Sequence, residues 1–154
     1  MMNNLFEEFS NISIDELKQR SMNNDGDEDI ELEDRSYVDF ILTDVLAPAK
    51  CGVYFSKNDI RNVGLMMEEK IQLHERKRMM KQLLKSINSA DRLSELMLNL
   101  KSIIDERTKI YEELVSISPS SKDIFNEHIE KTVSIKSKMD SILEEVKQES
   151  LFIE

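Results

Sequence analysis

In the second half of the chain, apolar residues recur at 93, 96, 97, 100, 103, 104, 110, 111, 114 and 117. Steps of three and four make a heptad-like stripe on a helix from Ser89 to Ser118, interrupted by Arg107 at one a position. Pro119 ends it within Ser118-Pro119-Ser120-Ser121. A second long helix is predicted from about Lys122 to Glu149, with Phe125, Ile129, Val133, Ile135, Met139, Ile142, Leu143 and Val146 as its stripe. A helix of about thirty residues spans roughly 45 Å. So short a linker forces the two helices antiparallel, as an αα-hairpin. Each stripe needs a partner, so the hairpin is expected to bury itself in part and to pack the remainder on residues 36–87.

The pattern upstream is shorter in period. Ser36 reads as the cap of a helix through about Ala47 that carries Tyr37, Phe40, Ile41, Leu42, Val45 and Leu46. Pro48 and Gly52 then break the chain. Val53-Tyr54-Phe55 suits an extended packing segment. Ser56, with Asp59 three residues on, starts another helix whose apolar face is Ile60, Val63 and Met67. The pattern blurs from Gly64 to Lys70. It resumes as a helix from about Leu73 to Ile87, with Met79, Met80, Leu83, Leu84 and Ile87 inward. At the start of the chain, Leu5, Phe6 and Phe9 form a small apolar cluster, and Ser13 with Glu16 fits a capping box. The expected fold is all-α: a long antiparallel C-terminal hairpin packed on two or three shorter helices, with a mobile acidic N-terminal segment. Residues 1–35 form that segment and 36–154 a single helical domain, divided into short helices (36–88) and hairpin (89–149).

Charge sharpens this division. The 154 residues carry a net charge of −10. Residues 1–50 hold 13 acids and 4 bases, residues 51–90 hold 4 acids and 8 bases, and the rest hold 14 and 9. The chain is an acidic head, a basic middle and a mildly acidic tail. The overall balance argues against nucleic acid or anionic membrane as partners. Seven acids in the ten residues from Asp25 to Asp34 repel one another and bury little, which reads as a solvated linker. The basic middle centres on Arg76, Lys77, Arg78, Lys81 and Lys85, interleaved with Met79 and Met80; it is a candidate protein-binding helix, and a core-facing helix with a solvated basic face is the simpler reading. The acidic linker is a candidate to fold over that basic face until a partner displaces it. Met66, Met67, Met79, Met80 and Met97 either line an adaptable groove or fill the core, and core filling is the simpler reading.

Catalytic and metal motifs fail at their decisive positions. Read from Asp25 as a calcium loop, the acidic run has Ile30 where a glycine must turn and Ser36 where a bidentate Glu must bind. His74-Glu75 opens like a zincin helix, but the second His position is Arg78. The other histidine, His128, falls on the inward stripe, where a hydrogen-bonded core histidine is expected. Cys51 is the lone cysteine, so no disulfide framework forms; Lys50 beside it is expected to lower its pKa modestly. No cofactor or metal is implied, and an enzyme is not expected. No stretch approaches a membrane span of about 18 apolar residues. A basic residue followed by Φ-x-Φ is the general form of a kinase-docking peptide, and Arg92 with Leu96 and Leu98 fits it. So does Lys109 with Val115 and Ile117. Such peptides bind extended, whereas both copies lie inside predicted helix.

The start of the chain is polar, with Asn3, Asn4, Ser10, Asn11, Ile12, Ser13 and Ile14, and lacks the apolar core of a cleaved signal. Together with the acidic, helical body, this resembles the small proteins of type III and flagellar export. Export chaperones there have long antiparallel helices like residues 89–149; exported effectors, bacterial invasion antigens among them, have uncleaved polar N-terminal addresses like residues 1–20. The resemblance implies cytoplasmic synthesis and secretion without a cleaved signal. The leading expectation is a non-catalytic effector whose helical body engages a protein partner. The alternative is a cytoplasmic export chaperone or adaptor holding a partner helix. The 93–117 stripe is also open to homodimerisation.

Overall fold

A computed structural model describes residues 30–33 and 35–149. All regular structure among them is helical, as expected. The expectations for the acidic run, the Ser13 capping box and the N-terminal address fall almost wholly outside the described residues.

The first helix, α1 (Ser36–Phe40), runs on into a π-helical turn, Ile41–Val45. Its N-cap is Arg35 rather than Ser36, and no side chain caps it. The Leu46 N–H reaches back five residues to the Ile41 carbonyl at 3.2 Å. Ile41 and Val45 on this turn are fully buried. Pro48 opens the one-turn helix α2 (Pro48–Cys51), where its missing N–H costs nothing. Gly52 ends it in the left-handed region at φ +88. A Cβ there would stand 2.4 Å from the His128 carbonyl, so both the turn and the close approach require glycine. Residues 53–55 are an irregular packing segment, with Val53 and Phe55 buried and Tyr54 outward.

Helix α3 (Lys57–Met66) starts at the expected place. The Asp59 N–H donates to Ser56 Oγ at 3.1 Å and the Ser56 N–H donates to Asp59 Oδ2 at 2.8 Å, a closed capping box. Helix α4 (Arg76–Lys85) begins three residues later than the periodicity suggests. Glu68 takes a left-handed φ of 61 and the Glu69 N–H bonds back to the Gly64 carbonyl at 2.7 Å, so the chain folds back at the end of α3. Ile71 packs onto the core from this return.

The hairpin is as read. Helix α5 (Ala90–Ile117) is capped by Ser89, whose Oγ accepts from the Arg92 N–H at 3.1 Å. A 3-10 turn (Pro119–Ser121) leads into α6 (Lys122–Glu149). Lys101 pairs with Asp140 and Lys136 with Asp105 across the two helices, which fixes them antiparallel. The core gathers α1, α3 and α4 against Leu93, Leu96, Met97, Leu100 and Ile104 of α5 and Ile135, Met139 and Val146 of α6. On α6 the buried position near the middle is Thr132, and Val133 points out to solvent. Thr132 satisfies its hydroxyl on the Ile129 carbonyl at 2.6 Å. The described residues from Leu32 onward form one compact unit.

Candidate protein-interaction site

The basic helix turns its apolar residues inward, as the periodicity suggests. Met79 and Met80 are fully buried, as are Met67 and Met97 to within 1 %. They fill core, and the adaptable groove is absent at those positions. Arg76 is a brace. Its Nε donates to the Phe55 carbonyl at 2.5 Å, its Nη2 to the Leu46 carbonyl at 3.0 Å, and its guanidinium lies 4.2 Å over the Tyr54 ring. Two loop carbonyls are thereby satisfied. Lys77 and Lys85 are exposed, and Arg78 and Lys81 are half-buried.

Arg92 is likewise engaged. It donates to the Met67 carbonyl at 2.8 Å and pairs with Glu69 at 3.3 Å and Glu95 at 3.1 Å. Leu96 is fully buried and Leu98 is 68 % exposed. A kinase groove that takes an extended peptide would meet Leu98 alone of the three unless the first turns of α5 unwound.

Cys51 is buried, and burial pushes its thiol up to about 11, only partly opposed by a hydrogen bond from the Val53 backbone. Lys50, which the sequence set beside it as an activator, instead pairs with Asp44 at 3.2 Å. The cysteine is therefore a protonated core residue. His128 does turn inward, with its ring 5.6 Å from that of Tyr111, which also stacks on Phe125 at 5.6 Å. Its Nδ1 is buried without a hydrogen-bond partner, contrary to the expectation of a bonded core histidine. The Tyr111 hydroxyl donates to the Gly52 carbonyl at 2.9 Å and so ties the hairpin to the end of α2. Among the described residues no group of three or more His, Cys, Asp or Glu stands close enough to hold a metal ion. Among them, too, no helix is long and apolar enough to cross a membrane.

The candidate surface lies on α5. Helix α3 runs antiparallel along it: Asp59, at the start of α3, pairs with Arg107, and Met67, just past its end, receives Arg92. Between them is a cleft of about 230 Å³ lined by Asn62 and Met66 of α3 and by Asn99, Ser102, Ile103 and Glu106 of α5. The Arg107–Asp59 pair closes its far end, bidentate at 3.0 and 3.3 Å. Asp59 is only 13 % exposed at its side chain. Burial works against its charge, but the bonds from Arg107 and Ser56 more than offset that and hold its carboxyl below the usual value. Beyond Arg107, α3 has ended and α5 continues for ten residues. The positions that continue the cleft face are Ile110, Leu114 and Ile117, and they are 48, 39 and 78 % exposed. On α6 across the turn, Ile124 is 62 % exposed. The hairpin tip thus overhangs the core and carries large apolar side chains in water.

The sequence counted 110, 114 and 117 into the stripe, whose whole length it left open to self-association, without singling out this end as the exposed part. One signal was available: the stripe outruns the helices that can cover it. α3 supplies only ten residues against the 28 of α5. No family model matches this chain, nor does any curated protein or solved structure.

Proposed function

We propose that this chain is a non-catalytic protein-interaction protein of the exported effector type, whose helical body engages protein partners through the overhanging face of α5. The observation that supports it is the row Ile110, Leu114 and Ile117, which continues the α3–α5 packing face after α3 has ended. Exposed apolar rows of this kind mark docking surfaces, read by a partner as anchors at helical spacing. Self-association belongs to the same reading. The export half rests on the polar start of the chain, residues 1–20, and its likeness to uncleaved secretion addresses. The chaperone alternative has less support, since four of the five methionines that would have lined its groove fill the core and Met66 alone is exposed.

The experiment compares the whole chain with Ile117→Asp and with a form lacking residues 1–20. Each is used to capture proteins from the native organism and from cells it contacts. A stoichiometric partner recovered with the whole chain and lost with Ile117→Asp is expected, with the helical signal and melting temperature unchanged. Removal of residues 1–20 should stop export and leave capture intact. Identical captured sets for the whole chain and Ile117→Asp would overturn the docking surface. Undiminished export of the truncated form would overturn the effector reading, and a chaperone would keep its partner without leaving the cell.

A further inference from the structure

We propose that the partner fitted by the overhanging face of α5 is a second copy of this chain, docked antiparallel about a two-fold axis. This rests on the reading of that face as a docking surface and names what covers it.

The first ground is continuity with packing already present. Asn99, Ile103, Glu106, Ile110, Leu114 and Ile117 advance in steps of four and three, so they share one face of α5. Along its first half that face is occupied by α3, antiparallel to α5, as the Asp59–Arg107 and Met67–Arg92 contacts fix. Along its second half no described helix covers it for about three turns, and Ile110, Leu114 and Ile117 are exposed. A two-fold axis perpendicular to α5 sets a second α5 antiparallel to the first. The copy therefore arrives with the polarity that α3 already has, in line with it, where α3 stops.

The second ground is charge. Lys109 and Glu113 stand one turn apart on the same flank of the apolar row, and both are exposed. In an antiparallel pair, like flanks face each other. With Ile110 set opposite Leu114 of the second copy, Lys109 comes within about two residues, roughly 3 Å of axial rise, of Glu113 of the second copy. The symmetry makes this contact twice. One basic and one acidic residue so placed are complementary to themselves, which an unrelated partner would not require. In the same register Ile117 reaches the level of Arg107 of the second copy, where the first turn of α3 closes the line. The net charge of −10 opposes approach from a distance, but at physiological salt it is screened beyond about 8 Å. The dimer is accordingly weak and concentration-dependent.

The test is sedimentation equilibrium of the purified full chain over roughly 10–200 µM at about 0.15 M salt. A monomer–dimer equilibrium is expected. Ile117→Asp should raise the dissociation constant at least about tenfold. Lys109→Glu and Glu113→Lys should each weaken the dimer severalfold, and the two together should restore it. The folded helical signal and melting temperature of each variant, all at exposed positions, show that it is still folded. A monomer throughout, a dimer indifferent to Ile117→Asp, or a double exchange that fails to restore association would overturn the proposal. Because the measurement uses the purified chain alone, a monomer leaves the heterologous capture experiment to be decided by its own variants.

Discussion

Asp59 carries three tasks on one carboxylate. It completes the Ser56 capping box, it pairs bidentately with Arg107 from 48 positions away, and it closes the far end of the α3–α5 cleft. The capping role was legible in the sequence, because Ser followed by an acid three residues on is a local pattern. The pairing was not: Arg107 looked like a flaw in the α5 stripe, and only the fold shows that the flaw faces Asp59. Asp59→Asn keeps the size of the side chain and removes its charge. It should lower stability at pH 7 by about 1–2 kcal/mol, from a weakened cap and an unpaired Arg107. The carboxyl of the folded chain titrates below that of the unfolded chain, near 3.9. Its contribution is therefore whole above about pH 4 and is lost as pH falls through the folded value. Urea denaturation of both proteins at pH 7 and pH 3 should show the gap between them closing in acid, and a gap that persists would refute this account.

At the scale of elements, starts and stops with a chemical marker were placed well, apart from Ser36, which lies inside α1 and does not cap it, and those set by tertiary contact were not. Ser56, Ser89 and Pro119 mark the start of α3, the start of α5 and the end of α5, because each satisfies or withholds a particular backbone hydrogen bond. The blurred stretch after Gly64 has no such marker. There Gly64 lets the return strand of chain come in close: a Cβ at that position would stand 2.6 Å from Ile71 Cγ1 and 2.8 Å from the Glu69 carbonyl. Gly64→Ala gains up to about 1 kcal/mol of helix propensity. It loses more by overpacking, which costs about 1–3 kcal/mol when a well-packed site must move. The net expectation is a destabilisation of about 1–2 kcal/mol, read as a lower urea midpoint with an unchanged slope. A more stable Gly64→Ala would show that the return of the chain at 67–71 is not held as described.

At the scale of the whole molecule, periodicity reveals that α5 is amphipathic but not what covers each part of its stripe. That is why the fold class and the hairpin could be read, while the candidate site emerged only from the mismatch in length between α3 and α5. Arg76 is a related case: charge at 76–85 is plain in the sequence, but whether Arg76 faces solvent or two loop carbonyls is decided by packing 21 and 30 residues away in sequence. The same mismatch divides the hairpin energetically. The buried residues of α5 all lie between Leu93 and Ile104, and those of α6 between Thr132 and Val146. Toward the turn the helices hold each other through the Tyr111–Phe125–His128 stack, the Tyr111 bond to Gly52 ties α5 to the end of α2, and no residue of either helix there is fully buried. Backbone amides with few buried neighbours open locally at low cost, whereas core amides exchange only on global unfolding. Native-state hydrogen exchange should therefore place 96–104 and 135–143 at the global limit, with 112–117 and 124–127 exchanging well before them. Phe125→Ala removes one layer of the stack and should widen that difference while changing the core amides only by the common loss of stability. Uniform protection along α5 and α6 would mean that the tip is held as firmly as the core.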